Sequence, residues 1–294
     1  MTIARTDAPA KLNLGLELLG KRTDGYHEIR TVMQAISLSD TISATSSPSA
    51  SLTIDRDDLP IEKNLVTLAL AGWHHFADSI EPQLALAVSK RIPAAAGLGG
   101  ASSDAAATLR LAQELLGEKL DHDQLLQVAQ GLGSDVPFFL GGATALAFGR
   151  GEQLQPLPPI APCWFVLVTP DVAIRRKTAS MYGSLIAEDF SDGSSVASLA
   201  EAIRSGVPPE AWHMANTFER VLLRIRPDLS AIPEAMRTFG ANRVSLTGAG
   251  PTWYAMVDGP DVASALAGDM QGRFPSSIVN VATPRDAMPA VEVI

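Results

Sequence analysis

The sequence predicts an α+β fold, in which strands and helices mix without regular alternation. Leu12, Leu14, Leu16 and Leu18 occupy every second position, which is the period of a β-strand. Other segments carry apolar residues at helical spacing, and neither half of the chain repeats a strand–helix–strand unit. This mixture favours α+β over a doubly wound parallel sheet. The 294 residues, of which 46% are hydrophobic, allow one large domain or two of about 150 residues.

The beginning of the chain is predicted to be rich in strands. The leucine alternation places Lys11 and Asn13 together on the opposite face of its strand. Asp-Gly and further glycines within 20–25 indicate a turn at the end of that strand. Further strands are predicted over Thr31–Leu38, Asp40–Thr45, Ser51–Ile54 and around Leu84, Leu86 and Val88.

Helices are predicted in the middle of the chain. The first covers Asn64–Phe76, and a second follows a glycine-rich segment, because apolar residues recur at helical spacing from Ala105. The spacing of Asp121 and Gln124 is typical of a capping box and predicts the start of a third helix. That helix is expected to stop before Gly133.

A proline-dense stretch over Gln155–Pro162 predicts a stiff connection and a domain boundary. Two domains are therefore expected, covering residues 1–158 and 159–294. In the second, strands are predicted over Trp164–Val168, Val244–Leu246, Thr252–Val257 and Ser277–Val281. Helices are predicted there over Lys177–Ile186, Val196–Arg204, Met214–Arg224, Ile232–Phe239 and Val262–Met270.

Composition excludes several classes of protein. A formal net charge of −9 argues against a nucleic-acid binder, which normally needs a basic surface. Cys163 is the single cysteine, so the chain can form neither an internal disulfide nor a cysteine-rich zinc site. No apolar run has the length of a membrane span or of a signal-peptide core. We therefore expect a soluble, cytoplasmic protein with no nucleic-acid or membrane partner.

One glycine cluster superficially matches a phosphate-binding motif. Residues Gly15–Arg22 nearly fit the pattern G-x-x-x-x-G-K-[ST]. Arg22 occupies the position of the hydroxyl that would bind magnesium, and the intervening residues belong to the alternating strand. We interpret this segment as a strand followed by a turn.

Two later glycine clusters are better candidates for a ligand site. The first glycine loop, Pro93–Ser103, precedes a helix, but Ser102 stands where a dinucleotide-binding motif has its third glycine. Small residues before a helix can form an anion cradle, or else a tight turn with Ser102 or Ser103 as the cap. The second glycine loop, Thr247–Pro251, joins two predicted strands as a hairpin and can also pack against the first.

Four polar residues are candidates for chemistry. Lys11 and Asp135 are a surface lysine and a turn aspartate in the simplest interpretation, but together they suit phosphoryl transfer. The carboxylate would accept the proton of an attacking hydroxyl, and the ammonium would stabilise the transferring phosphoryl group. Tyr26 and His27 can stack on a planar base and donate hydrogen bonds to it, or they are simply half-buried loop residues. The other four histidines receive no role.

The motifs of the chain resemble those of the GHMP kinase superfamily, in the same order. The three motifs are Pro9-Ala-Lys-Leu-Asn13, the first glycine loop and Leu246-Thr-Gly-Ala-Gly-Pro251. Two further elements narrow the resemblance to one group within this superfamily: Arg22-Thr-Asp-Gly-Tyr-His27 and Gly133-Ser-Asp-Val-Pro137. They are similar to those of the kinases in the non-mevalonate isoprenoid precursor pathway, whose substrate carries a cytidine diphosphate.

The resemblance implies a two-domain GHMP kinase fold. Residues 1–158 would form a ribosomal protein S5-like domain that binds ATP and carries the catalytic residues. Residues 159–294 would form a ferredoxin-like domain that completes the substrate cleft. The implied ligands are ATP and a small-molecule substrate, together with Mg²⁺ whose protein ligands are unassigned. We expect a monomer or a weak homodimer.

The resemblance also implies roles for individual residues. Lys11 and Asp135 would be the catalytic pair, with Asp135 as the base toward the 2-hydroxyl of the substrate or as an electrostatic orienter. Asn13 would lie near the substrate, and Tyr26 and His27 would hold its cytosine. The ATP phosphates would lie on Pro93, Ala94, Ala95, Ala96, Gly97, Leu98, Gly99, Gly100, Ala101, Ser102 and Ser103.

Some features fall outside this pattern, and other functions stay open. Ala101, Thr247 and Ala249 depart from the residues common in the family but keep the loops small. The basic segment Arg175-Arg176-Lys177 receives no role. The alternatives are a GHMP kinase for another small alcohol, such as homoserine or mevalonate, and a non-catalytic member that binds nucleotides. Retention of both Lys11 and Asp135 counts against the second alternative.

Overall fold

The computed structural model describes residues 2–56, 64–77, 83–116 and 119–294. The strands are β1 Ile3–Lys21, β2 His27–Ser47, β3 Ser51–Ile54, β4 Gln83–Ser89, β5 Thr144–Phe148, β6 Gln153–Pro156, β7 Trp164–Thr169, β8 Val244–Leu246, β9 Trp253–Val257, β10 Ile278–Ala282 and β11 Glu292–Val293. The helices are α1 Leu65–Ala77, α2 Gly100–Leu115, α3 His122–Leu132, α4 Val136–Gly141, α5 Lys177–Gly183, α6 Ser194–Arg204, α7 Thr217–Ile225, α8 Ala231–Thr238 and α9 Pro260–Arg273. Short 3₁₀ turns cover Ala187–Asp189, Ala211–Met214 and Pro227–Ser230.

The first sheet is built on the long antiparallel pair β1 and β2. Its strand order is β11-β1-β2-β4-β3, and β5 pairs with both β2 and β6. The register of β1 against β2 shifts between Pro9 and Lys11 and again between Asn13 and Gly15. Such irregularities bend a strand and re-aim its side chains, and these two flank the candidate residues of β1.

The second sheet is four-stranded and antiparallel, in the order β10-β7-β9-β8. Helices α5 to α8 lie between β7 and β8 in the chain, and α9 lies between β9 and β10. This β-α-β-β-α-β succession, with its first strand inside the sheet, is the ferredoxin-like arrangement. The two sheets with mixed helices confirm the predicted α+β class.

Three apolar clusters stabilise the fold and join its parts. The first lies between the large sheet and helices α1 to α4, and the third packs α7, α8 and α9 on the small sheet. The second cluster connects the sheets, because Leu12 and Leu14 of β1 pack with Phe165 of β7 and Tyr254 of β9. A site between the two sheets is therefore held by a continuous core.

Local structure follows the sequence closely, with a few differences. The predicted strands over 31–38 and 40–45 are one continuous strand, β2, because pairing with β1 and β4 covers both segments. Helix α4 begins directly after Asp135, where the sequence indicated only a stop, since proline is tolerated in the first turn of a helix. In the described residues, no helix has the length and apolar character needed to cross a membrane. The division at 158/159 falls between β6 and β7 and stays a prediction.

Candidate active site

Lys11 is held in the interior of the fold by β1. Its side chain is 5% exposed, and its Nζ donates a hydrogen bond of 2.6 Å to Asn13 Oδ1. Asn13 in turn donates from Nδ2 to Thr31 Oγ1 at 2.8 Å, and Thr31 donates to Gly15 O at 2.6 Å. This chain of bonds fixes the position of the ammonium, since each polar group in it has a partner.

Asp135 faces Lys11 from the beginning of α4. Its Oδ2 lies 3.4 Å from Lys11 Nζ, and its side chain is 36% exposed. Helix α3 ends at Leu132, and Asp135 lies in the short connection between α3 and α4. The position of α3 therefore determines the position of Asp135. Lys11 is thus buried, whereas Asp135 is accessible from the cleft. A general base must be accessible in this way, because it has to reach the hydroxyl of a substrate.

The first glycine loop passes beside this pair and leads into α2. Gly99 is the N-cap of α2, with φ +73, and no side chain caps the helix. The interpretation of Ser102 or Ser103 as a capping residue is therefore wrong. Ser103 Oγ is buried and has no hydrogen-bond partner among the described residues. The N–H groups of the first helical turn are without intrahelical acceptors and provide donors for an anion.

The two glycine loops pack directly against each other. A Cβ atom on Gly97 would lie 2.5 Å from Thr247 O and 2.9 Å from Gly250 O, so only glycine fits there. Thr247 Oγ1 accepts a hydrogen bond of 3.1 Å from the Asn13 backbone N–H, which ties the second loop to β1. The second loop is therefore both a hairpin between antiparallel strands and part of the wall of the site.

Tyr26 and His27 lie at the rim of the same site. The turn before them is fixed by Asp24, whose Oδ1 accepts the Tyr26 N–H at 3.1 Å. Tyr26 is 55% exposed as a residue, and the Arg150 guanidinium lies over its ring at 4.7 Å from the centroid. The His27 ring lies 5.1 Å from that of Tyr182. Burial, assisted by the charge of Lys21, lowers the pKa of His27 below its ordinary value.

These residues line one cleft of about 540 Å³, called the first cleft below. Of the sequence-predicted residues, it brings together Lys11, Asn13, Tyr26, His27, Gly97, Gly99, Ser102 and Asp135. A second cleft of about 450 Å³ lies on the other side of the first glycine loop. It is lined by the loop from Pro93 to Ser102, by Asn64, Leu65 and Val66 at the start of α1, and by Lys90. The loop therefore separates two neighbouring clefts and contributes to both.

A buried charged cluster supports the approach to this loop. The Lys90 ammonium donates to Asp40 Oδ2 and to Asp104 Oδ2, at 2.6 Å in the second case. Asp40 Oδ1 also accepts the backbone N–H groups of Arg91 and Ile92. Burial raises the pKa of Asp104 to about 7, although Lys90 opposes the shift. The cluster joins β2, α2 and the segment before Pro93, and so it fixes where the loop begins.

Arg150, Lys177 and Tyr182 are among the residues of the first cleft that sequence reasoning missed. Arg150 belongs to the turn after β5, while Lys177 and Tyr182 belong to α5. Burial raises the pKa of Tyr182 to about 12, and the Asp135 charge adds to the shift. For Lys177 the sequence offered one signal, the basic run at 175–177. The spacing of that run does not indicate where the segment packs.

Comparisons with known proteins identify the family of the chain. Residues 64–143 match the family model described as the GHMP kinases N terminal domain. A protein of Dehalococcoides mccartyi named 4-diphosphocytidyl-2-C-methyl-D-erythritol kinase is 37% identical over 260 residues, which cover 88% of this chain and 91% of that protein. A protein of the same name from a Geobacillus species is 37% identical over 253 residues, covering 85% and 86%.

Solved structures show the same likeness. A crystal structure of 4-(cytidine 5'-diphospho)-2C-methyl-D-erythritol kinase superposes with a TM-score of 0.81 at 33% identity, covering 95% of this chain and 98% of that one. A homoserine kinase from Cytophaga hutchinsonii superposes with a TM-score of 0.77 at 18% identity, covering 100% and 97%. The second likeness concerns the fold alone.

Proposed function

This chain belongs to the GHMP kinases, in the family of 4-diphosphocytidyl-2-C-methyl-D-erythritol kinases, and from this premise we propose its reaction and the residues that perform it. The kinase transfers the terminal phosphoryl group of ATP to the 2-hydroxyl of 4-diphosphocytidyl-2-C-methyl-D-erythritol, a step of the non-mevalonate isoprenoid precursor pathway. The observation that carries the proposal is the Lys11–Asp135 pair, 3.4 Å apart, in a cleft bordered by the first glycine loop.

ATP lies across the first glycine loop in this proposal. Its nucleoside occupies the second cleft, and its phosphates pass over the N–H groups at the start of α2 toward Lys11. The small residues at 97, 99 and 100 allow the phosphates to approach the backbone closely. In this proposal, residues 1–158 form the ATP-binding domain, and residues 159–294 complete the cleft for the substrate.

Asp135 and Lys11 have complementary roles in the transfer. The Asp135 carboxylate accepts the proton of the 2-hydroxyl as its oxygen attacks the terminal phosphorus. The Lys11 ammonium stabilises the negative charge that spreads over the transferring group. Because Lys11 is held by Asn13, its charge needs no reorganisation during the reaction.

The cytidine end of the substrate is held at the rim of the first cleft. Tyr26 offers an exposed ring for stacking, and His27 offers ring nitrogens for hydrogen bonds to the cytosine. Since the pKa of His27 is lowered, its imidazole is neutral at pH 7 and presents one donor and one acceptor. Asn13, near Lys11, lies close to the erythritol part.

The residues of the first cleft fit Mg²⁺ only when the ion is also bound by the phosphates of ATP. No group of three metal-ligating side chains occurs within the described ranges. Ser102 places one hydroxyl on the cleft, so it would hold the ion together with phosphate oxygens and water, while the Asp135 carboxylate stays free to accept the proton. When bound, Mg²⁺ would neutralise phosphate charge during the transfer.

The site requires no residue from a second copy, because one chain supplies the catalytic pair and both clefts. This supports a monomer or weak homodimer as the working form. A cytoplasmic location is also proposed, since ATP is the donor and Cys163 is a buried free thiol.

The test is a direct assay of acceptor choice. Purified protein is incubated with Mg-ATP and, in parallel, with 4-diphosphocytidyl-2-C-methyl-D-erythritol, homoserine or mevalonate, and release of ADP is measured. We expect ADP with the cytidine-linked acceptor only, and inhibition by CDP in competition with that acceptor. Turnover of homoserine or mevalonate, or no effect of CDP, would remove the substrate assignment. Binding of ATP with no turnover of any acceptor would favour a non-catalytic member.

A further inference from the structure

Lys177 lies where the two glycine loops meet. Its ammonium donates a hydrogen bond of 2.7 Å to Ala95 O, in the first loop, and another to Gly250 O, in the second. The same side chain lines the first cleft beside Lys11 and Gly97. Lys177 therefore lies between the proposed ATP site and the proposed acceptor site.

The surroundings of this ammonium leave its charge poorly compensated. It has three N–H donors, and two of them have acceptors among the described residues. None of the ion pairs within the described ranges includes Lys177, so its partners are neutral carbonyl groups. Burial, together with the charge of Lys11, lowers the pKa of Lys177 to about 8. A half-buried cation of this kind is stabilised when an anion arrives.

We propose that Lys177 binds phosphate oxygens of the nucleotide and positions the terminal phosphoryl group between Lys11 and Asp135. This role rests on the proposed kinase function and adds a cation beside Lys11 at the phosphates. The third N–H group of Lys177 has no acceptor among the described residues and is available to an anion in the first cleft. ATP is the anion that must cross the first glycine loop to reach Asp135. The bonds to Ala95 and Gly250 orient the ammonium and at the same time hold the two loops at a fixed separation.

A purely structural role would have a different consequence. If Lys177 only tied the loops together, its removal would disturb the nucleoside cleft and the phosphate cradle alike, because the first loop lines both. If it binds phosphate, removal affects only nucleotides whose phosphate chain extends past the loop. The length of the phosphate chain therefore distinguishes the two roles.

The experiment measures, by calorimetry, the dissociation constants of AMP, ADP and the non-hydrolysable ATP analogue AMPPNP with Mg²⁺, and that of CDP. It compares the unmodified protein with K177M, K177R and R175A. A charge-assisted hydrogen bond corresponds to about a 10- to 100-fold change in affinity. We expect K177M to weaken AMPPNP by that factor and to change AMP less than about 2-fold. K177R should restore most of the affinity for AMPPNP. R175A, which removes an exposed charge of the same segment, should bind like the unmodified protein.

A pH series provides a second readout. Below about pH 8 Lys177 is charged, and above it the free protein loses this charge, so the affinity for AMPPNP should fall as the pH rises through that value. K177R should lack this decline, since arginine stays protonated. The other charged or titratable groups among the described residues that line the cleft are Lys11, Tyr26, His27, Asp135, Arg150 and Tyr182. Of these, His27 has its pKa lowered and Tyr182 has its pKa raised to about 12, so both titrate away from pH 8.

The outcomes separate this role from the proposed function. Equal losses for AMP and AMPPNP in K177M, or no loss for either, would overturn the role while the unmodified protein still binds nucleotide. A loss confined to CDP would also overturn it, because the cation would then serve the acceptor. An unmodified protein that binds no adenine nucleotide would contradict the kinase function itself and, with it, this role.

Discussion

Replacing Asp135 by asparagine removes one charge of the proposed catalytic pair and keeps the shape of the side chain. At 3.4 Å and an effective dielectric constant of about 20, the Asp135 and Lys11 charges interact by about 5 kcal/mol. Because the Asp135 side chain is 36% exposed, solvent screening reduces this figure. A lost general base lowers rates by about 10²- to 10⁴-fold, or roughly 3–5 kcal/mol of transition-state stabilisation. We therefore expect kcat of D135N to fall by at least about 100-fold.

Binding of ATP should respond differently from turnover. The carboxylate repels the phosphates, so its removal should leave the dissociation constant of AMPPNP unchanged or make it smaller. ADP release at saturating substrate gives kcat, and calorimetry gives the affinity. D171N is the matched control, because Asp171 is an exposed carboxylate outside the residues that line the first cleft. A kcat of D135N within about 3-fold of the unmodified enzyme would refute the base role.

Three further predictions concern the glycine loops and the residues Tyr26 and His27 at the rim of the first cleft. G97A should lower the free energy of unfolding by about 1–3 kcal/mol, because the new Cβ would lie 2.5 Å from Thr247 O at a backbone φ of +87; G131A, with open space around it in α3, should not destabilise the protein in the same urea titration. Y26A should raise KM for the cytidine-linked substrate by about 5- to 150-fold, the range for losing a stacked base, and leave kcat within about 3-fold; an unchanged KM would exclude stacking. An NMR titration of His27 should have its midpoint below 6.5, since burial and Lys21 disfavour the imidazolium, and a midpoint above 6.5 would contradict the observed packing.

Local pattern was sufficient to predict much of the fold. The leucine alternation identified β1, and the Asp121–Gln124 spacing identified the start of α3, where both bonds of the capping box are present. Such signals are local, because a strand period or a cap depends on residues near in sequence. The strands β5 and β6 were missed, since their pairing with β2 and with each other arises from tertiary contacts. The predicted membership of the GHMP kinases is confirmed by the relatives and the solved structures.

The candidate site was predictable only in part. Motifs indicated Lys11, Asp135 and the first glycine loop, and the fold brings them to one cleft, while their roles stay predictions. Lys177 and Tyr182 gave no usable signal, because their place in the cleft depends on how α5 packs against α7 and on the contact of Tyr182 with His27. Arg150 was missed for the same reason, as its position over Tyr26 follows from the pairing of β5 with β2.

The charge of the whole molecule and the charge of its cleft have opposite signs. The chain carries a formal net charge of −9, so its overall field repels the anionic ATP and an anionic substrate. Among the described residues that line the first cleft, Lys11, Arg150 and Lys177 are basic and Asp135 is acidic. Interactions between charges within a cleft are less screened by salt and solvent than those at the surface, so these three cations dominate once the ligands enter. Lys177 therefore adds to the local positive charge that Lys11 and Arg150 present to both polyphosphate ligands.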